Sequence, residues 1–153
     1  MKKDFQGEVV SAEQDQFESF TGELQNSKET YTSSDKDQLV FVNLVETDSN
    51  YGHRRDPDGY LKALEAIDLE MPKILDAMNE DDVLIITADH GCDPAAAGTD
   101  HTREYVPFVV YSPSASFQSH DLGTRSSFAD VGKVVLDQFG LDSSELAISG
   151  VSI

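Results

Sequence analysis

The 153 residues make one domain of ordinary globular composition, 39% hydrophobic and 26% charged, long enough to bury a moderate core. A formal charge of −18 argues against nucleic acid and anionic membranes as partners, because both polyanions would repel such a surface. A single cysteine, no signal peptide behind Met1-Lys2-Lys3, and no run near the roughly 20 apolar residues of a membrane span point to a soluble, cytoplasmic chain.

Residues 1–38 are acidic and polar. Phe17, Phe20 and Leu24 recur at helical spacing, so Glu13 to Gln25 reads as an amphipathic helix, and Asn26 to Gln38 as a linker. No chemistry is placed there. Leu39 to Val45 (LVFVNLV) is the first buried strand, and it runs out into Glu46-Thr47-Asp48 and the turn residues up to Pro57. A helix is expected from Pro57 to Met78, with proline favourable in its first turn. Leu61, Leu64, Ile67, Met71, Ile74, Leu75 and Met78 form its apolar stripe, and Pro72 should kink or interrupt it.

Val83 to Thr87 is a second buried strand, so strand, helix and strand make a βαβ unit with a right-handed crossover. Val106 to Tyr111 is a third, with Pro107 tolerated at its start. Ser127, with Asp130 three residues on, marks the start of a final helix that ends at Gly140. The expected architecture is α/β, a mostly parallel sheet flanked by helices.

The carboxyl ends of parallel strands are where such sheets place ligands. Asp48, His53, Asp89, His90 and His101 all lie in loops at those ends, whereas His120 lies in a serine-rich loop without an acidic neighbour close before it. Singly, each reads as a turn former or a surface residue. Together, carboxylates and neutral imidazoles are the donor set of zinc, manganese or iron. Asp89 and His90 point to opposite faces of a regular strand, so they can share an ion only where the strand has given way to loop. Cys92 reads as a small loop residue. Arg54, Arg55 and Arg103 flank the candidate ligands; guanidinium suits a phosphate, and equally a neighbouring carboxylate. Spacing alone thus points to a metal and an anionic substrate.

The stretches NLVETDSNYGHRRDPDGY, LIITADHGCDP, GTDHTREYVP and GTRSSFADVG closely resemble the phosphopentomutases, a family of the alkaline phosphatase-like metalloenzyme superfamily. The resemblance covers about Leu39 to Gly150, with Met1 to Gly7 similar to the segment before the family's strand. It implies that 39–153 is the C-terminal part of a metalloenzyme core domain and that 8–38 is an insertion. It also implies an isomerase that interconverts ribose 1-phosphate and ribose 5-phosphate, and the 2-deoxy forms, with two Mn²⁺. Residue by residue, Asp89 and His90 would ligate one ion, and Asp48, His53 and His101 the other. The family's first metal-binding Asp and its phosphorylated Thr have no counterpart here, so no catalytic nucleophile is assigned. The resemblance therefore implies a chain inactive without an N-terminal part as partner. Another phosphatase or mutase of the superfamily, or a non-catalytic metal-binding module, are the alternatives.

Overall fold

The computed structural model describes residues 6–12, 37–142 and 150, the first of these segments by its backbone alone. The helix expected over Glu13 to Gln25 lies outside the described residues. The class is α/β, and the elements from residue 38 onward follow the order read from the sequence, whereas a strand over Gln6–Ala12 lies in a stretch where none was expected. Strand β1 (Gln6–Ala12) is followed by β2 (Gln38–Leu44), a π-helical turn (Thr47–Gly52) and helix α1 (Pro57–Ala77). Strands β3 (Leu84–Thr87) and β4 (Phe108–Tyr111) and helix α2 (Ala129–Gln138) complete it. Strand β1 crosses the Gly7–Glu8 junction at which the sequence reading begins its insertion.

Among the described residues the strands form two separate pairs and not one mostly parallel sheet. Strands β1 and β2 pair in parallel, Gln6 opposite Gln38 through Ala12 opposite Leu44. Strands β3 and β4 form a separate antiparallel pair, Leu84 opposite Tyr111 through Thr87 opposite Phe108. The expected βαβ pairing of β2 with β3 is therefore corrected. A parallel neighbour needs a crossover, usually a helix, and the segment between β3 and β4 contains none. It closes on itself through an antiparallel bridge between Gly91 and Thr102, so 92–101 forms the tip of a wide hairpin.

Helix α1 begins as its sequence predicts. Asp56 Oδ1 accepts the Gly59 N–H at 2.9 Å, and Pro57 occupies the first turn, where no amide donor is required. The helix runs through Pro72 without interruption. The expected stripe is covered in part: Ile74 is buried and Ile67, Met71 and Met78 are half-buried, with Ala63 buried beside them, whereas Leu61, Leu64 and Leu75 are exposed. The helix carries apolar residues on more than one side, so tertiary contact, not periodicity, chooses the face. Helix α2 buries Val134 and Leu136 and ends in a Schellman motif. There Gly140 takes φ +61°, and the Leu141 N–H donates to the Leu136 carbonyl at 2.9 Å. At its start, buried Asp130 accepts from Arg125 Nε at 2.9 Å.

Candidate metal centre

Two segments build the centre: the turn after β2 and the hairpin tip after β3. In an α-helix, residues five apart point roughly 140° away from each other. Between β2 and α1 the chain instead makes i→i+5 hydrogen bonds, with the His53 N–H donating to the Asp48 carbonyl at 3.0 Å. This wider turn sets the Asp48 and His53 side chains on the same side, with His53 Nε2 at 3.3 Å from Asp48 Oδ2. π-Turns recur at functional sites because they re-aim side chains in this way. Gly52 is buried within the turn; a Cβ there would stand 2.5 Å from Cys92 Sγ. Cys92 thus occupies space that only a glycine leaves open.

From the hairpin come His90 and His101, whose rings stack with centroids 3.6 Å apart. His101 Nε2 lies 3.5 Å from Asp48 Oδ2 and 3.1 Å from His53 Nε2. His90 Nε2 lies 4.0 Å from Asp48 Oδ2 and 3.6 Å from Asp89 Oδ1. Asp48, His90 and His101 each present a donor atom within 4.8 Å of the others, and His53 joins the same cluster. Asp89 stands at the margin with its side chain 81% exposed, and His120 lies apart, bonded to the Gln118 carbonyl. Three of the candidate residues, His53, His90 and His101, therefore converge on one oxygen of a fourth, Asp48, and Asp89 reaches the cluster through His90.

The donor set fits a cation. Atoms bound at about 2.0–2.2 Å to one divalent ion stand roughly 3–3.5 Å from each other. Asp48 Oδ2, His53 Nε2 and His101 Nε2 have that spacing, at 3.1 to 3.5 Å. Tautomers strengthen the fit. His53 Nδ1 faces the Thr99 carbonyl at 2.5 Å, and His90 Nδ1 faces the Gly91 carbonyl at 3.0 Å. A carbonyl only accepts, so each Nδ1 carries a proton, which leaves Nε2 as the nitrogen that would face a metal. Asp48 Oδ1 is moreover buried and has no hydrogen-bond partner.

Several supporting residues escape the sequence reading. The Thr102 hydroxyl accepts the Asp93 N–H at 2.6 Å and donates to Glu104 Oε2, tying the base of the hairpin together. Arg55, read as a phosphate or carboxylate partner, instead donates to the backbone carbonyls of Asp93, Gly98 and Asp100. No residue type marks a carbonyl acceptor, so the sequence offers no signal for that contact. Arg54 and Arg103 are exposed and make no hydrogen bond or ion pair with the described residues. Burial pushes the Cys92 thiol pKa up, the Asp48 carboxylate adds to the rise, and the Arg55 guanidinium opposes it. Tyr60 is raised in the same sense, by burial first and then by Cys92 and Asp48.

Residues 3–143 match the family described as the Metalloenzyme superfamily. The phosphopentomutase of Shewanella sp. (strain MR-7) is 50% identical over 113 residues, 74% of this chain and 28% of that protein. The phosphopentomutase of Anaeromyxobacter sp. (strain K) is 54% identical over 105 residues, 69% of this chain and 26% of its own length. That of Lachnoclostridium phytofermentans is 49% identical over 113 residues, 74% of this chain and 29% of its own. The chain spans a little over a quarter of the length of these curated relatives. The family match runs through both segments that build the centre, and the chain belongs to the metalloenzyme superfamily.

Proposed function

We propose that this chain carries the metal-binding part of a phosphopentomutase, an isomerase that moves a phosphoryl group between the 1 and 5 positions of ribose or 2-deoxyribose. The observation that carries the reading is the convergence of imidazole Nε2 atoms on Asp48 Oδ2, with the Nδ1 protons of His53 and His90 committed to carbonyls. Identity near 50% to three phosphopentomutases, over 69 to 74% of this chain, supports the substrate class.

In this reading Asp48, His53 and His101 hold one Mn²⁺, and Asp89 and His90 hold the second. His90 Nε2 lies within 4.0 Å of both carboxylates, 3.6 Å from Asp89 Oδ1 and 4.0 Å from Asp48 Oδ2. When bound, such a pair neutralises and orients phosphoryl oxygens at an in-line displacement. The Thr99 and Gly91 carbonyls fix the imidazole tautomers, which raises ligand basicity. Residues 39–153 are then the C-terminal part of the core domain, with 8–38 an insertion, in an enzyme of cytoplasmic pentose phosphate and nucleoside salvage. No residue of this chain is given the role of nucleophile, and turnover is assigned to the enzyme completed by its N-terminal part.

Two measurements test this. Mn²⁺ titration by calorimetry should show micromolar binding to the chain, lost in a His53→Ala, His101→Ala double variant; identical heats in both would end the ligand assignment. Replacing the matching segment of the Shewanella enzyme with this one should leave ribose 1-phosphate conversion intact. A chimera that binds Mn²⁺ and hydrolyses simple phosphomonoesters, yet leaves ribose 1-phosphate untouched, would favour another phosphatase or mutase of the superfamily. Binding without any turnover would leave a metal-binding module.

A further inference from the structure

Arg55 holds a backbone conformation that its side chain does not favour. Its φ is +55°, in the left-handed region, and among the described residues it is the only non-glycine residue there. From that position the guanidinium spreads over the hairpin tip. Nη1 donates to the Asp93 carbonyl at 2.7 Å, Nη2 to the Asp100 carbonyl at 2.5 Å, and Nε to the Gly98 carbonyl. Beside it, His53 Nδ1 donates to the Thr99 carbonyl. The carbonyls of three consecutive residues, 98 to 100, thus turn toward one side of the neighbouring segment. Carbonyls alternate in a regular strand, and Gly98, at φ +85°, breaks that alternation. The next residue is His101.

We propose that Arg55 is the positioning residue of the metal centre. It docks the 92–101 loop onto the turn after β2 and so brings His101 Nε2 to His53 Nε2 and Asp48 Oδ2. The inference rests on the metal-centre reading. Its chemistry is that of a planar fork with five donors, which reaches three acceptors separated along the chain; a lysine ammonium presents its donors from a single point. The acceptors are peptide carbonyls, not the Asp93 or Asp100 carboxylates, so the contact does not depend on the loop's acidic side chains. A guanidinium committed in this way is also withdrawn from phosphate binding, which leaves Arg54 and Arg103 as the exposed cations beside the ligands.

The test uses the full chain and three substitutions. Arg55→Gly removes the guanidinium while suiting the left-handed backbone, Arg55→Lys keeps the charge without the fork, and Arg54→Ala is the neighbouring control. Mn²⁺ affinity is measured by calorimetry, and amide hydrogen exchange is followed in the metal-free chain. Arg55→Gly and Arg55→Lys should each lose about tenfold or more in affinity, the range seen for residues that orient ligands. Exchange should quicken across 92–101 but not in α1, and added guanidinium ion should restore both readouts in Arg55→Gly. Arg54→Ala should match the parent.

Parent-like affinity and exchange in Arg55→Gly would overturn the proposal. So would an Arg55→Lys variant indistinguishable from the parent, because charge alone would then suffice. Faster exchange throughout α1 and α2 that guanidinium fails to reverse would show a general loss of fold, and overturns it too. Should the parent chain bind no Mn²⁺, the metal reading fails, while exchange in the metal-free chain still decides whether Arg55 docks the loop.

Discussion

Asp48 and Asp89 each follow an apolar strand and precede a histidine, yet the fold treats them differently. Asp48 Oδ2 is met by three imidazoles, whereas the Asp89 side chain is 81% exposed and touches His90 alone. Asp48→Asn should therefore cost Mn²⁺ affinity beyond the roughly 10–100-fold typical of orienting residues, while Asp89→Asn leaves the first binding event within a few-fold. Equal losses by calorimetry would contradict this ranking. Cys92 gives a second residue-scale expectation. Its pKa is raised, so the folded chain keeps the thiol proton where the unfolded chain has lost it. That contribution to stability is present below the ordinary thiol pKa and disappears as pH rises through the raised value. In metal-free protein, the pH midpoint of Cys92 alkylation should lie above that of a simple thiol and fall in Asp48→Asn. A midpoint unmoved by that substitution would remove Asp48 as a cause.

At the scale of elements, the hairpin that carries His90 and His101 depends on Gly91. A Cβ at this position would meet the Glu104 backbone, 2.6 Å from its nitrogen and 2.7 Å from its oxygen. Backbone cannot swing aside as a side-chain tip does, so the strands would have to part where Gly91 bridges Thr102. Gly91→Ala should destabilise the chain by about 1–3 kcal/mol, the usual range for overpacking, and weaken Mn²⁺ binding with it. Unchanged thermal unfolding would show that the bridge is not needed. The strands from Leu39 onward and the start of α1 were legible in sequence because their signals are local: Leu39 to Val45 is an apolar run, and Asp56-Pro57 is a cap followed by a first-turn proline; β1, in the polar stretch 1–38, was not. Strand partners were not, because the pairing of β3 with β4 is fixed by a loop that folds back through a bridge ten residues wide in sequence terms, from Gly91 to Thr102. The candidate residues could be singled out because imidazole and carboxylate carry their chemistry in their names. The π-turn and the carbonyls beneath Arg55 could not, since backbone acceptors are the same in every residue.

Over the whole molecule, two properties of the chain oppose each other. Among the described residues the buried apolar side chains are Ala63, Ile74, Val134 and Leu136, while Leu69 is 76% exposed and Phe41 and Leu61 are each 56% exposed. Exposed apolar surface favours association, and a formal charge of −18 resists it by repulsion between copies. That repulsion is screened by salt, with a Debye length of about 10 Å at 0.1 M falling to about 3 Å at 1 M. Apolar attraction survives screening. Sedimentation velocity of the metal-free chain should therefore show one slow species at low ionic strength and larger species near ~1 M sodium chloride. Leu69→Glu, which removes the most exposed of these side chains and adds a charge, should shift the onset to higher salt. If association instead weakened as salt rose, ion pairs between copies would be holding them together, and the apolar account would be wrong.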